Sequence, residues 1–231
     1  MDVLEGPFRA GRRFEPTTER QLDSSLKSLA IDLSRARPGV FISREFAGPR
    51  GVADLVVITD SLPGFKARRA LALPPLTSVR DCTVVAATWA NRTRSAESLA
   101  RVLGMTEDTV ERRLRRLTNR GYLSRNGQGY RRAIEMRPIG HLYALEAKVS
   151  DWQKGISQAI RYSAWSDASA VVLLRPPRDV DTIAGRCKHL GLGLALGDRW
   201  IVRPRTHQPQ PGLRLAASEV FFLTLTQSPS A

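Results

Sequence analysis

The segment "HLYALEAKVSDWQKGISQAIRY", residues 141–162, begins with an apolar strand that ends in two charged residues. Alternation within "LYALEAKV" places Glu146 and Lys148 on one face, because side chains two residues apart along a strand point the same way. An unpaired charge in apolar surroundings costs several kcal/mol. The pair therefore indicates a cleft at the C-terminal end of a buried strand, and a helix is predicted next, over 151–165.

The sequence on either side of this segment has α/β character. A leucine stripe at helical spacing predicts a helix over 16–36, and two apolar runs around a Gly-containing turn predict strands over 39–46 and 52–58. Downstream, a strand over 169–175 and a helix over 179–190 are predicted. The fold class is therefore α/β.

A block of different character interrupts this pattern. Residues 76–133 predict three helices followed by two short strands around a Gly-containing turn. We interpret the block as an inserted domain between a first part, residues 1–75, and a second part with a C-terminal extension, residues 134–231. The insertion would also explain the long gap between the strand over 52–58 and the strand that starts at 141.

A second carboxylate can reach the charged pair. Asp54 lies at the start of the strand over 52–58, and if that strand neighbours the one carrying Glu146 and Lys148, two carboxylates and an amine converge. Carboxylate oxygens suit a hard divalent cation such as Mg²⁺. An adjacent ammonium can orient the attacking water and stabilise phosphate charge. This combination predicts phosphodiester hydrolysis.

By these residues the chain resembles the PD-(D/E)XK nuclease superfamily, whose signature is an Asp at the start of one strand and Glu-x-Lys on the next. Here those residues are Asp54 and Glu146-Ala147-Lys148, although Ala53 stands where the nominal motif has Pro. The resemblance covers roughly residues 16–75 and 134–200 and implies a restriction-endonuclease-like core. In this interpretation Asp54, Glu146 and the Ala147 carbonyl hold Mg²⁺ or Mn²⁺, and Lys148 orients the water.

Two further residues are expected to support this site. The helix after the motif carries Lys154, Gln158 and Tyr162 at spacings of four, hence on one face. The resemblance implies that Gln158 contacts the active site or the substrate. Glu19, an acid on the first helix, is assigned a supporting catalytic role.

The net charge of +14 favours a polyanionic partner, although the arginine content could also reflect a GC-rich genome. The charge is clustered, since residues 80–132 hold twelve arginines against five acidic residues. This block resembles a winged helix-turn-helix, which implies contact with duplex DNA through a recognition helix and a basic wing. The expected contacts are Thr109, Arg112, Arg113, Arg116, Arg125, Arg131 and Arg132. A basic solvated helix, or a winged helix that binds protein, remains an alternative.

These patterns predict a metal-dependent DNA endonuclease. If it cuts both strands, two active sites are needed and a homodimer is expected. The alternatives are a catalytically inactive nuclease-like transcriptional regulator that binds DNA, an RNA nuclease, or a solvated edge-strand pair at Glu146 and Lys148. The apolar runs are too short for a membrane helix and the N-terminus lacks a secretory pattern, so a bacterial, cytoplasmic, nucleoid-associated protein is expected.

Overall fold

The computed structural model describes residues 3–5, 16–34 and 39–227, with side chains described at residues 24–33 and 39–227. Within these residues the chain is mixed α/β, which confirms the predicted fold class. The first part contains, in order, β1 (Val3–Glu5), α1 (Pro16–Ser34), β2 (Val40–Gly48), β3 (Gly51–Thr59) and α2 (Ser61–Ala70).

The remaining elements follow the order that the sequence predicts, with one addition at the end. The middle part contains α3 (Val79–Ala87), α4 (Ala96–Leu103), α5 (Glu107–Asn119), β4 (Leu123–Asn126) and β5 (Gly129–Arg132). The last part contains β6 (His141–Lys148), α6 (Trp152–Tyr162), β7 (Ala168–Leu173), α7 (Val180–Leu190), β8 (Gly193–Leu196), β9 (Arg199–Val202) and α8 (Pro211–Gln227). Helices α2 and α8 were not predicted.

Seven of the described strands form one mixed sheet, in the order β1-β2-β3-β6-β7-β8-β9. The pairs β2–β3, β3–β6 and β8–β9 are antiparallel, whereas β1–β2, β6–β7 and β7–β8 are parallel. Strands β6 and β7 bury apolar side chains on both faces, because helices cover both sides of the sheet. The chain leaves the sheet after β3 and returns at β6, so β3 and β6 become neighbours although the middle part separates them in sequence.

The middle part has a core of its own. Its buried side chains come from α3, α4, α5, β4 and β5, and the central ones are Val85, Leu99, Val110, Leu114 and Leu117. Each helix begins with a hydroxyl cap, because Ser78, Ser95 and Thr106 accept hydrogen bonds from the third residue that follows. Strands β4 and β5 form a separate two-stranded hairpin.

Helix α8 packs against both halves of the molecule. Phe221 and Leu225 join the core beneath the sheet, while Leu215 and Ala216 join the core of the middle part. Nearly every residue of α8 up to Phe222 is buried. Despite that apolar character, no helix among the described residues has the length and hydropathy needed to cross a membrane.

A buried ion pair connects α8 to the chain where it enters the middle part. Arg68 of α2 donates from Nε and Nη2 to the two Glu219 carboxylate oxygens, at 2.8 Å each. The same guanidinium donates to the carbonyls of Leu73 and Pro74, and Glu219 Oε2 also accepts from the Leu76 amide at 2.7 Å. Both charges are therefore satisfied inside the protein, as a buried pair requires.

A second charged residue of α8 holds the point where the chain returns to the sheet. Arg214 donates from Nη2 to the carbonyls of Ile139 and Gly140, at 3.0 and 2.8 Å, and from Nε to Asp167 at 2.9 Å. Ser218 accepts from the Ile139 amide at 2.6 Å. Both crossings between the sheet and the middle part are thus hydrogen-bonded to one helix.

We expect Arg68→Met to lower the free energy of unfolding by about 3–5 kcal/mol, because Glu219 would remain buried without its partner. The double variant Arg68→Met/Glu219→Met should recover part of this loss, since no buried charge is left unpaired. Urea unfolding monitored by circular dichroism measures both changes.

The matched control is Arg101→Met, which removes an exposed arginine from the Glu97–Arg101 pair on α4. It should change the free energy of unfolding by less than about 0.5 kcal/mol. If the Arg68→Met and Arg101→Met proteins had the same free energy of unfolding, the buried pair would stabilise the fold no more than the exposed pair does.

Candidate functional site

The candidate site lies where β3 and β6 separate. Their antiparallel ladder runs from Thr59 opposite His141 to Leu55 opposite Leu145. By that register Asp54 and Glu146 come next, and residues opposite each other share a face of the sheet. Asp54 Oδ2 accepts from the Ala147 amide at 2.8 Å, so a carboxylate takes the place that a β3 carbonyl would occupy in a continuing ladder.

The Ala147 carbonyl faces the same gap. The N–H and C=O of one residue in a strand point toward the same neighbour, so the amide bond to Asp54 directs the carbonyl to that side as well. Lys148 Nζ donates to this carbonyl at 3.2 Å and also to Glu146 Oε1. The ammonium therefore bridges two of the three groups that the sequence analysis assigned to a metal ion.

Glu146 is fully buried, at 0% exposure, and α6 completes its surroundings. The Tyr162 hydroxyl lies 2.7 Å from Glu146 Oε2 and 2.6 Å from the Val52 carbonyl. Burial, followed by the hydrogen bond to Glu146 and its charge, raises the pKa of the Tyr162 phenol far above its ordinary value. Tyr162 is thus a neutral hydrogen-bond donor that keeps Glu146 in position.

The first turn of α6 brings the helix close to the motif strand. The Asp151 side chain caps the helix by accepting from the Lys154 amide at 3.1 Å. A Cβ at Gly155 would lie 2.7 Å from Val171 Cγ1 and 3.4 Å from Lys148 Cγ, so only glycine permits this close approach. Along the predicted face of α6, burial increases from exposed Lys154 through half-buried Gln158 to buried Tyr162.

Gln158 of α6 also approaches Tyr162. Its side chain lies close enough to Tyr162 to act against the larger effects that raise the pKa of the phenol. Its Oε1 atom is buried and has no hydrogen-bond partner among the described residues. A buried acceptor without a partner costs free energy, so this atom suits a donor from outside the chain, such as a ligand or a bound water.

The donor groups at this site fit a hard divalent cation in their chemistry. Two carboxylates and a backbone carbonyl converge at the gap, and a positive charge, the Lys148 ammonium, already lies between two of them. The described residues contain no cluster of three His, Cys, Asp or Glu side chains that could hold a metal. Any cation here would therefore depend on the Ala147 carbonyl and on water as well as on the two acids.

Glu19 cannot be placed relative to this site. It lies within α1, but its side chain is outside the described residues. Its supporting catalytic role stays a prediction.

The predicted recognition helix, α5, presents its charged residues unequally. Arg113 and Arg116 both donate to Asp81 of α3, at 2.9 and 2.6 Å, and the Asp81 side chain is only 4% exposed. Arg112 is exposed. Thr109 lies in the capping turn, where its hydroxyl accepts from Thr106 at 2.8 Å. Arg113 and Arg116 thus neutralise a buried acid, although the Arg116 side chain is still 52% exposed. Arg112 faces solvent.

The predicted wing is the β4–β5 hairpin, and its arginines also differ. Arg125 and Arg131 are exposed. Arg132 donates to the carbonyls of Thr88 and Met136, and burial, with the neighbouring charge of Arg137, lowers the pKa of its guanidinium. Arg125 and Arg131 can therefore meet a partner directly, while Arg132 fastens the hairpin to the rest of the middle part.

The sequence analysis missed the role of Asp81 in this region. It is the one acid of a mostly apolar helix, "VRDCTVVAA", and a buried acid is expected to pair with a cation. The cations come from α5, 32 and 35 residues further along the chain. Helical spacing within α5 could not reveal that contact.

Comparison with known proteins gives no family for this chain: no family model, curated protein or solved structure matches it. The function must therefore be inferred from the described residues themselves.

We expect Tyr162→Phe to lower the free energy of unfolding by about 1–3 kcal/mol, because the buried Glu146 carboxylate loses its hydroxyl partner. Lys148→Met acts on the same carboxylate, so the two substitutions together should deviate from additivity by about 0.5–3 kcal/mol. Urea unfolding of the two single variants and the double variant measures this coupling.

Pairing Tyr162→Phe with the exposed Arg101→Met provides the control, and those two effects should add within about 0.5 kcal/mol. Additivity of Tyr162→Phe and Lys148→Met would show that Glu146 does not link the two side chains.

Proposed function

We propose that this chain is a divalent-metal-dependent DNA endonuclease whose middle part binds and positions duplex DNA. The observation that carries the proposal is the convergence of Asp54, Glu146, Ala147 and Lys148 at the point where β3 and β6 separate. These are the residues by which the sequence resembles the PD-(D/E)XK nucleases. A mixed sheet with helices on both faces agrees with a restriction-endonuclease-like core.

In this proposal Asp54, Glu146 and the Ala147 carbonyl hold Mg²⁺ or Mn²⁺. A bound divalent ion supplies Lewis acidity at a phosphoryl oxygen and lowers the pKa of a coordinated water. Lys148 orients the attacking water and stabilises charge on the phosphate. Gln158 offers its buried Oε1 to a donor from the substrate or solvent, Tyr162 positions Glu146, and Glu19 keeps its supporting role.

A winged helix-turn-helix is the second element of the proposal. Three capped helices precede a basic hairpin, and Arg94 forms an antiparallel bridge with Tyr130 of β5, which adds a short third segment to the hairpin. Apart from Leu215 and Ala216 of α8, the buried core of this block runs from Leu76 to Met136, close to the bounds of 76–133 expected for an insertion. The proposed DNA contacts are the exposed residues of the predicted set, Arg112, Arg116, Arg125 and Arg131.

Two further features belong to the proposal. Cutting both strands of a duplex needs two active sites, so the active form is proposed to be a homodimer. Duplex DNA as the substrate would associate the protein with the nucleoid in the cytoplasm.

One observation favours a second function, that of a catalytically inactive DNA-binding regulator. Glu146 is fully buried, and both of its oxygens already have partners in Lys148 and Tyr162. To bind a metal, Glu146 would have to give up the contact with Lys148. A chain that keeps this arrangement would bind DNA through its middle part without cutting it.

Incubation with supercoiled plasmid in Mg²⁺, Mn²⁺ or EDTA tests the nuclease proposal. We expect nicking in either metal, none in EDTA, and a loss of about 100-fold or more in Lys148→Ala, because this residue stabilises developing charge. A gel-shift assay in EDTA should show unchanged binding by the variant.

Lys66→Ala is the matched control, because Lys66 is an exposed lysine on α2 and α2 follows the opposite end of β3. It should cut like the unaltered protein. Binding without cleavage in both metals would reject the nuclease proposal and favour the regulator.

The roles of the α5 arginines can be separated by two substitutions. Arg112→Ala should weaken duplex binding and reduce its salt dependence, with stability unchanged, because Arg112 is exposed. Arg113→Ala should instead lower the free energy of unfolding, because Asp81 loses one of its two cations. Fluorescence anisotropy with a labelled duplex and urea unfolding measure the two effects, and the reverse pattern would contradict the assignment.

A further inference from the structure

The loop between α3 and α4 contains an arrangement of charge that the proposed site does not use. The guanidinium carbon of Arg92 lies 3.3 Å from the centroid of the Trp89 ring, and that of Arg94 lies 3.9 Å from it. Two guanidinium groups this close to one centroid would overlap if they shared a face of the ring. The indole is therefore sandwiched between two arginines, a cation–π arrangement on both faces.

Arg94, on one face of the indole, is fixed to the protein by hydrogen bonds. Arg94 donates from Nη1 to the Ala87 carbonyl at 2.9 Å, and its backbone exchanges two hydrogen bonds with Tyr130, at 3.0 and 2.9 Å. A Cβ at Gly129 would lie 2.5 Å from the Thr93 Cβ, so the loop packs directly on the β5 backbone. The Trp89 carbonyl accepts from the Arg132 amide at 3.0 Å. The loop is thus held at both ends by β5.

Arg92, on the other face of the indole, faces solvent. It is exposed, and no ion pair joins it to a carboxylate among the described residues. Stacking on the indole fixes the plane of the guanidinium, so its N–H groups are oriented before any partner arrives. Less side-chain freedom is then lost on binding than for an unrestrained arginine.

The sandwich continues the basic surface of the hairpin. Arg94 lies opposite Tyr130, and Tyr130 lies opposite Arg125, so loop, β5 and β4 form three adjacent segments. Arg125 is exposed on the hairpin face that it shares with Tyr130, whereas Arg131 pairs with Ser124 and is exposed on the other face. A planar guanidinium with a fixed fork of donors matches a phosphodiester group, and neighbouring cations match a repeating polyanion.

We propose that Arg92, held on Trp89 by Arg94, is a binding site for the phosphate backbone of duplex DNA beside the hairpin. This inference rests on the proposed DNA-binding function and adds to it a contact outside α5 and the β4–β5 hairpin. Arg92 touches the phosphate, while Trp89 and Arg94 position it. The contact is with the backbone and therefore carries no sequence preference.

Anisotropy titrations of a labelled duplex in EDTA, at several salt concentrations, test the site. One lost phosphate contact reduces the slope of log K against log salt by about one, which corresponds to about eightfold weaker binding at 0.1 M salt. We expect this result for Arg92→Ala. Arg92→Lys should keep the slope but bind more weakly than the unaltered protein, because lysine keeps the charge without the stacked plane.

Arg101→Ala is the control, since Arg101 is an exposed arginine of the next helix that pairs with Glu97. It should leave both slope and affinity unchanged, and circular dichroism should show the same fold in all variants. If the unaltered protein binds with a steep slope and Arg92→Ala has that same slope, the Arg92 site is wrong while the DNA-binding function stands. If the unaltered protein does not bind duplex DNA at all, the proposed function falls, and the Arg92 site with it.

Discussion

The buried pair between Arg68 and Glu219 is the interaction on which the arrangement of the two halves depends. It joins α2, which ends the first run through the sheet, to α8, which comes last in the chain. The Leu76 amide completes the cluster, and Arg214 of the same helix holds the return crossing through Ile139 and Gly140. Among the described residues, α8 thus contacts both segments that connect the middle part to the sheet.

Much of the fold could be predicted because most elements carry their own signal. The strands over 39–46 and 52–58 and the helices of the middle part have the alternation, spacing or caps that define them locally. Helix α8 lacked such a signal, because it is buried on nearly all sides and so has no apolar stripe against a polar face. Helix α2 was missed because Pro63 and Gly64 suggest a break, although proline is tolerated in a first turn.

The candidate site was also predicted in part, because some of its residues are placed by the local pattern of their own strand. Glu146 and Lys148 share a strand, so alternation alone placed them on one face. The approach of Asp54 was predicted only on the condition that its strand is the neighbour, and β3 does pair with β6. The side chains that hydrogen-bond to the charged residues come from other parts of the chain. The Tyr162 bond to Glu146 and the Asp81 bonds to Arg113 and Arg116 depend on how helices dock, and spacing within one helix does not record that.

In the proposed nuclease, the β3–β6 ladder would set the distance between the middle part and the point of cleavage. The chain leaves β3 and re-enters at β6 at the end where Thr59 faces His141, whereas the acids lie at the opposite end. His141 and Glu146 are five residues apart, a run of about 17 Å along a strand, or about five base pairs of duplex. The strands thus act as a spacer between the attachment of the middle part and the candidate active site. A nuclease with this arrangement would bind one stretch of DNA and cleave the backbone at another.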